Sequence, residues 1–405
     1  MLTLLSAPEA VLLGQGVSPD SVTRFIDILS QRSLPVTLAD QDNRDTDNWS
    51  ALTRLDWMAS SNHTLTLRGD WRGTTAEPAR VGAMTLPQTG GRQTSWGGGG
   101  FATLTSRFGS AIINELKGYL SARSQESNPF LALPQGRVQV ASTVEEAQAV
   151  SSLTFGGNPS FPTRSSATTL EVSNEVSWLT GGAALRFKLG LLYNRTSTSQ
   201  DGSFNRFGTF SFNSLTDLEA DRPASFTRTL EPTIRDGSSS NSALYLADVW
   251  RPAAGWQVTW GGRLERSSAG GAATYDPDVE QLFERRTDQL PSEIHLSPRI
   301  GFTWGPGADS DRGRPSAVTI RGGVGEFRSA FNAGLFSAAQ STGTARSLES
   351  QLVCVGDAVP FPDWNAFLAD PSAIPTACNG GGPSPAPTRS PTLTVFDPEY
   401  GSPRS

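Results

Sequence analysis

The chain has 405 residues, which is enough for two soluble domains or for one large all-β unit. Its 33 basic and 39 acidic residues give a formal net charge of −6, and an acidic chain lacks the basic face that nucleic-acid binding requires. The two histidines, His63 and His295, and the two cysteines are too few for most His/Cys metal sites or for a supported nucleophile pair. We therefore expect no nucleic-acid partner, no metal and no cofactor.

Helical patterns in the sequence are few and short. Ser18-Pro19-Asp20, followed by apolar residues at helical spacing, predicts a capped helix near the N-terminus. Further short helices are predicted at Ser214 to Ala220 and at Asp363 to Ala369. No run of about 18 apolar residues occurs, so the sequence predicts no transmembrane helix.

Apolar and polar residues alternate in most of the remaining chain. Between His63 and Arg72, apolar residues and glycine occupy every second position, and threonine or charged residues stand between them. Such a period of two predicts a β-strand, because successive side chains point to opposite faces. The same alternation recurs in about ten segments, near residues 49–57, 63–72, 102–108, 115–123, 170–178, 185–194, 244–250, 256–265, 299–304 and 318–324.

The connections between these segments alternate in length. Within each of five predicted hairpins the connection is short, whereas the links between hairpins run from roughly twenty to more than forty residues, and no clear strand follows Arg328. Compact soluble domains rarely contain loops of this length. A transmembrane β-barrel combines short periplasmic turns with long extracellular loops in this way.

The placement of charges and aromatic residues favours a membrane barrel over a soluble sandwich. Aromatic residues stand at both ends of the apolar faces, as Trp49 and Trp57 do eight residues apart. At about 3.3 Å per residue that is roughly 26 Å along the strand, or about 20 Å along the membrane normal at the usual tilt. The opposite face carries the charges expected in a watery interior: Arg54, Asp56, Arg68, Asp70, Glu115, Lys117, Arg123, Arg186, Lys188, Arg263, Glu265, Arg299 and Arg321.

We therefore predict an all-β fold, an incomplete antiparallel transmembrane β-barrel segment of about ten strands whose long extracellular loops carry short helices. Residues 1–405 form this partial barrel. Residues 1–47 are predicted to be an extracellular loop with a short helix, residues 48–327 the strands in five hairpins, and residues 328–405 a last extracellular loop. Both ends lie where a larger barrel would continue, because an open sheet would leave unpaired edges that lipid cannot satisfy.

Several segments resemble the barrel of TonB-dependent outer-membrane receptors, most closely those called Oar-like, which carry a carboxypeptidase-regulatory-like domain. The segments that carry this resemblance are Ala243 to Glu265, which contains Tyr-x-x-Asp-x-Trp-Arg-Pro, together with Leu296 to Gly307, Thr319 to Ser329 and the loop Phe207 to Arg228. The resemblance implies a receptor in the outer membrane that contacts lipid, binds an extracellular ligand and takes it up. It also implies a TonB-type energy-coupling partner, acting through N-terminal parts that this sequence lacks.

Two other functions stay open at this point. The long loops could make the protein a surface-binding or adhesion module that transports nothing, and a soluble β-rich enzyme is the second alternative. Neither Gly-x-Ser-x-Gly nor His-Glu-x-x-His occurs, and we expect no enzyme. Glu115 with Glu171 or Glu265 could be read as an acid/base pair, but charged lining of the interior explains these glutamates better.

Cys354 and Cys378 are the site residues that the sequence singles out. An even pair in an exported loop predicts a disulfide, and two unpaired thiols are the alternative. The acid-rich stretches Asp40 to Asn48 and Asp309 to Asp311 are interpreted as solvated loops rather than Ca²⁺ sites. The glycine runs Gly97 to Gly100 and Gly322 to Gly325 are interpreted as strand glycines rather than phosphate-binding loops.

Overall fold

The computed structural model describes residues 4–36, 44–82, 84–144, 147–180, 185–230, 234–271, 275–305, 318–328, 351–380, 395–397 and 400–401. Its largest unit is a ten-stranded sheet in which every strand pairs antiparallel with its neighbours. In sheet order the strands are β1 (Asp45–Ser60), β2 (His63–Ala79), β3 (Gly91–Phe108), β4 (Ile112–Pro129), β7 (Thr163–Thr180), β8 (Leu185–Asp201), β11 (Ile234–Trp250), β12 (Trp256–Gly270), β13 (Ser292–Trp304) and β14 (Ile320–Gly325). The predicted ten strands are confirmed.

Most strands of this sheet are longer than a bilayer requires. A transmembrane β-strand needs about 9–11 residues, whereas β3, β4 and β7 each have 18. The strands therefore continue beyond the hydrocarbon region on the side of the long connections. β1 and β14 are the edges of the described sheet, which is open.

The two faces of the sheet differ as the alternation predicts. On the face that we call the membrane face, large apolar side chains lie uncovered by protein: Leu191 is 58% exposed, Leu55 57% and Ile300 54%. The opposite face, which we call the inner face, carries residues such as Glu175 and Lys188, whose side chains form an ion pair. The leucines and tryptophans of the strands are therefore not buried between two stacked sheets, as they would be in a soluble sandwich.

The long connections contain a second sheet, and here the prediction of loops without strands is wrong. Five short strands pair in the order β15-β10-β9-β5-β6, and they include one strand after Arg328, namely β15. Their bounds are β5 (Gln135–Val144), β6 (Ala147–Gly156), β9 (Thr209–Phe212), β10 (Ser225–Thr229) and β15 (Gln351–Val355). β5 and β6 form a local hairpin, whereas the pairings of β9 with β5 and of β10 with β15 join separate segments and leave little trace in any local stretch of sequence.

The helices lie in the connections and before the first strand. They are α1 (Glu9–Gly14), α2 (Pro19–Gln31), α3 (Leu215–Glu219), α4 (Pro277–Phe283) and α5 (Trp364–Ala369). The three predicted helices are confirmed as α2, α3 and α5. The Ser18 side chain accepts a hydrogen bond from the Ser21 backbone N–H, which caps α2. None of the described helices is long and apolar enough to cross a bilayer.

The second sheet and the helices α1, α2, α3 and α5 share one hydrophobic core, and we call this unit the loop module. Phe210 is fully buried, and the centre of its ring lies 4.3 Å from the ring centre of Phe226 and 5.6 Å from that of Trp364. Phe155 contacts Phe25 of α2, with 5.9 Å between ring centres. The membrane-facing sheet has no comparable core, because its apolar side faces outward.

A disulfide and an arginine connect residues 374–378 to the second sheet. Cys354 on β15 and Cys378 form a disulfide with 5.5 Å between their Cα atoms. The Arg228 guanidinium on β10 donates hydrogen bonds to the backbone carbonyls of Arg206, Ile374 and Pro375 at 3.0, 2.6 and 3.1 Å. Partial burial lowers the pKa of Arg228 from its ordinary value.

Arg228→Met is expected to destabilise the loop module by about 2 kcal/mol, because three carbonyl acceptors lose their charged donor. Limited proteolysis of the folded protein in detergent should show earlier cleavage near residues 370–378 in this variant. Arg222→Met is the matched control, since the Arg222 side chain is 69% exposed and contacts Asp217 at 3.5 Å. Equal cleavage rates in the two variants would contradict a structural role for Arg228.

Candidate functional site

The inner face of the sheet concentrates charged side chains that pair across strands. Lys188 Nζ on β8 lies 2.6 Å from Glu175 Oε1 on β7, and the Tyr245 hydroxyl on β11 donates to Glu175 Oε2 at 2.8 Å. Gly190 stands between them, opposite both Glu175 and Tyr245. A Cβ atom at Gly190 would lie 2.1 Å from the Tyr245 ring, so a side chain there would displace the ring that reaches Glu175.

A second group of inner-face charges lies on β12 and β13. Glu265 Oε1 pairs with Arg263 at 2.7 Å, and Glu265 Oε2 lies 3.3 Å from His295 Nε2. Arg328, just after β14, contacts Glu326 at 2.9 Å and Glu293 at 3.6 Å. Arg263, Glu265, His295 and Arg328 line a cavity of about 330 Å³ together with Glu171. Of its two carboxylates, Glu265 pairs with a cation, whereas Glu171 contacts the Asn194 amide.

The glutamates that the sequence suggested as a possible acid/base pair are each engaged separately. Glu115 pairs with Lys117 at 3.0 Å, Glu171 accepts a hydrogen bond from the Asn194 amide at 3.1 Å, and Glu265 pairs with Arg263. This arrangement fits charged groups lining a wet interior.

A larger cavity on the inner face carries positive charge without a counter-charge. It has a volume of about 470 Å³ and lies near the strand ends from which the long connections leave. Arg72 on β2 and Arg123 on β4 both stand opposite Gly97 of β3, so the two guanidinium groups flank a position without a side chain. Neither arginine forms an ion pair within the part of the chain that the structure describes.

The rest of this cavity is lined mainly by small hydroxyl and amide side chains. Those on the inner face are Thr74, Ser95, Gln125, Ser165, Thr198 and Gln200. Arginine presents several N–H donors in a fork that matches carboxylate and phosphate oxygens. The cavity can therefore bind an oxyanion and hydrogen-bond a polar body attached to it. The alternation places both arginines on the polar face, but only the strand register brings them to the same opening.

The membrane face carries stacked aromatic rings near both ends of its apolar band. Trp71 stacks on Trp49 and on Trp96, with 6.2 and 5.4 Å between ring centres. Beside the short turns, Trp256 stacks on Trp304 with ring centres 5.6 Å apart. Amphipathic rings favour the headgroup level of a bilayer, so these stacks mark its two interfaces.

Asp248 is the residue that interrupts the apolar alternation of β11. It stands on the membrane face between Phe187 and Trp260, and it is 3% exposed. Its Oδ1 atom has no hydrogen-bond partner. The structure gives no physical reason for this carboxylate.

The remaining sequence candidates form no site in the described residues. Gly97 to Gly100 lie within β3, where a Cβ at Gly98 would meet the Asp70 carbonyl oxygen at 2.6 Å. Of Asp40 to Asn48, only residues 44–48 are described, and Asp45 begins β1. Asp309 to Asp311 lie outside the described residues. Among the described residues, no three His, Cys, Asp or Glu side chains form a group that could hold a metal ion.

Comparison with known proteins identifies the family. Residues 28–405 match the outer membrane β-barrel domain family. No curated protein matches the chain.

Several solved structures of outer-membrane proteins are similar to this chain. The outer membrane transporter YddB from Escherichia coli matches with a TM-score of 0.50 and 14% identity, over 72% of this chain and 33% of that chain. The FrpB iron transporter from Neisseria meningitidis (F3-3 variant) matches with a TM-score of 0.44 and 10% identity, over 74% of this chain and 40% of that chain. The copper transporter OprC matches with a TM-score of 0.44 and 12% identity, over 72% of this chain and 38% of that chain.

The chain thus spans between a third and two fifths of the length of these structures. The two-faced antiparallel sheet, the aromatic stacks and the family match agree with one another. The chain belongs to the outer membrane β-barrel family, and its location is the outer membrane.

Proposed function

We propose that this chain is a section of a TonB-dependent receptor barrel, of the Oar-like kind, that takes up a ligand across the outer membrane. The sequence resemblance over Ala243 to Glu265 and the outer-membrane barrel family support this function. In this proposal, residues 1–47 and 328–405 are extracellular and residues 48–327 contain the membrane strands. The energy for uptake comes from a TonB-type coupling protein.

The observation that carries the proposal is the Arg72–Arg123 cavity on the inner face. A sheet that served only as an anchor for adhesive loops would gain nothing from two arginines without counter-ions on its interior side. A receptor gains a binding surface there, because uncompensated guanidinium groups attract an anionic solute into the interior. The opening also lies towards the loop module, which is the side from which an extracellular ligand would enter.

The absence of catalytic pairing supports the same proposal over an enzyme. The inner-face carboxylates Glu115, Glu175 and Glu265 each form an ion pair with a basic side chain rather than with one another. The inner face is therefore suited to contact solutes rather than to transform them.

Uptake can be tested without knowing the ligand. Cells that produce the whole receptor of which we propose this chain to be a section, with and without the TonB-type coupling protein, are grown in complex medium, and mass spectrometry measures which solutes disappear from it. We expect at least one anionic solute to be depleted only when both proteins are present. If solutes are depleted equally with and without the coupling protein, or are not depleted at all, the result would contradict receptor-mediated uptake and favour adhesion.

Arg72→Gln combined with Arg123→Gln is expected to slow this depletion at least tenfold, which corresponds to about 1.4 kcal/mol of lost binding free energy. The control is Arg54→Gln, an inner-face arginine that already pairs with Asp56 at 2.7 Å. Outer-membrane fractionation confirms equal amounts of each variant. An unchanged depletion rate in the double variant would show that the ligand does not use this cavity.

A further inference from the structure

The membrane face carries arginines near the strand ends from which the long connections leave. These arginines fall into two groups. Arg92 forms an ion pair with Glu77, and Arg164 pairs with Glu126 at 3.1 Å. Arg195 on β8 and Arg266 on β12 form no ion pair with any residue that the structure describes, and both are exposed. Two arginines thus stand on the lipid-facing side with their charge uncompensated.

The strand register brings these two arginines to one area of the surface. Arg195 stands opposite Ser240, which stands opposite Ser268 on β12, two residues beyond Arg266. Two strand spacings and a two-residue step place the Cα atoms of Arg195 and Arg266 about 12 Å apart. Ser240 and Ser242 of β11 lie between them, and these small side chains leave both guanidinium groups open on the membrane face.

A groove lined with hydroxyl groups adjoins Arg195. It has a volume of about 370 Å³, and its hydroxyl side chains on the membrane face are Ser166, Thr168, Ser197, Ser199 and Ser238. Asp236 also lines the groove, but it stands opposite Ser199, which is four residues from Arg195 on β8. Asp236 therefore lies about 13 Å from Arg195 along the strand direction. The groove therefore offers hydrogen bonds beside a positive charge.

Apolar side chains begin directly below the two arginines. Tyr193 lies two residues before Arg195 on the same face, and Leu264 lies two residues before Arg266. Leu170, opposite Arg195, is 39% exposed on the same face. Along the strands, the surface thus changes from hydroxyl and charged groups to apolar side chains within about 7 Å. A lipid molecule presents its headgroup and its acyl chains in the same order.

We propose that Arg195 and Arg266 bind the phosphate groups of a phosphorylated glycolipid in the outer leaflet of the membrane. The two guanidinium groups bind phosphate oxygens, the serine and threonine hydroxyls bind sugar hydroxyls, and the acyl chains pack on Tyr193 and Leu264. The position on the membrane face excludes soluble ligands of the interior, because the sheet separates the two sides. The site does not depend on the proposed uptake.

The site can be tested with defined lipids. The full chain is refolded into detergent micelles and mixed with purified lipid A that carries both phosphates, with dephosphorylated lipid A, or with phosphatidylglycerol. Native mass spectrometry counts the bound lipid. We expect the bis-phosphorylated lipid A to bind at least tenfold more tightly than either of the other lipids. Equal binding of phosphatidylglycerol would overturn the proposal in favour of a general anionic surface.

Matched variants assign the binding to the two arginines. Arg195→Gln with Arg266→Gln is expected to weaken binding of bis-phosphorylated lipid A at least tenfold, whereas Arg92→Gln with Arg164→Gln should change it less than twofold. Resistance of the folded band to denaturation by SDS without heating verifies that both double variants fold. If the Arg195→Gln, Arg266→Gln double variant fails this check, the single variants Arg195→Gln and Arg266→Gln replace it, and each should weaken binding of bis-phosphorylated lipid A at least threefold, whereas an unchanged affinity in both would overturn the proposal. Equal affinities in the two double glutamine variants would overturn the proposal.

Discussion

Phe210→Ala is expected to destabilise the loop module by about 3–5 kcal/mol. The Phe210 ring is fully buried at the centre of the aromatic cluster, where it contacts Phe226, Trp364 and Phe367. Its removal loses the transfer free energy of the ring and leaves a cavity that β9, held between two other strands, cannot close. This module contains segments from separate connections, so we expect them to come apart together.

Limited proteolysis in detergent is the measurement for this variant. The strands of the large sheet should stay protected, because their pairing does not involve Phe210, while β5, β10 and the segment around α5 become cleavable. Phe204→Ala is the control, since Phe204 lies in the same connection and is 62% exposed. Simultaneous loss of protection in the large sheet would contradict an independent core in the loop module.

Leu189→Arg is expected to destabilise the protein in lipid by about 2–4 kcal/mol, the cost of a charge at the midplane on the lipid side of a barrel. Leu189 lies on the membrane face of β8 opposite Val176 and Leu246, and it is 42% exposed. The neighbouring substitution Lys188→Ala should cost about 1 kcal/mol or less, because the Lys188–Glu175 pair lies on the wet inner face. The two residues are adjacent in sequence but differ in the solvent they face.

Urea unfolding in phospholipid vesicles measures both variants. Leu282→Arg in α4 controls for the added arginine, since Leu282 is 75% exposed outside the sheet and should tolerate the change. Similar losses of unfolding free energy for Leu189→Arg and Lys188→Ala would mean that the faces of β8 are assigned wrongly.

The sequence predicted the large sheet because the pattern that indicates each of its strands lies within the strand itself. Successive side chains on a strand point to opposite sides, so the alternation around Leu189 or Trp71 indicates both the strand and its faces without knowledge of any partner. Short turns between such segments indicate antiparallel neighbours. Tryptophans eight residues apart on one strand match the thickness of the apolar core of a bilayer. The capped helix after Ser18 was predictable for the same reason, since a helix cap lies within a few residues of the helix that it begins.

Part of the second sheet, by contrast, depends on contacts between segments far apart in the chain, because β9 pairs with β5 and β10 pairs with β15. β9 has only four residues, and it pairs with β5 and β10 from either side, so its two phenylalanines carry too short a pattern to indicate a strand. The placement of Arg72 and Arg123 on either side of Gly97, and of Arg195 near Arg266, likewise follows from strand register. The sequence by itself determined which residues face lipid and which face water, because that depends on a period of two. Only the tertiary structure decided which charges meet, because register and loop packing join residues that no local pattern relates.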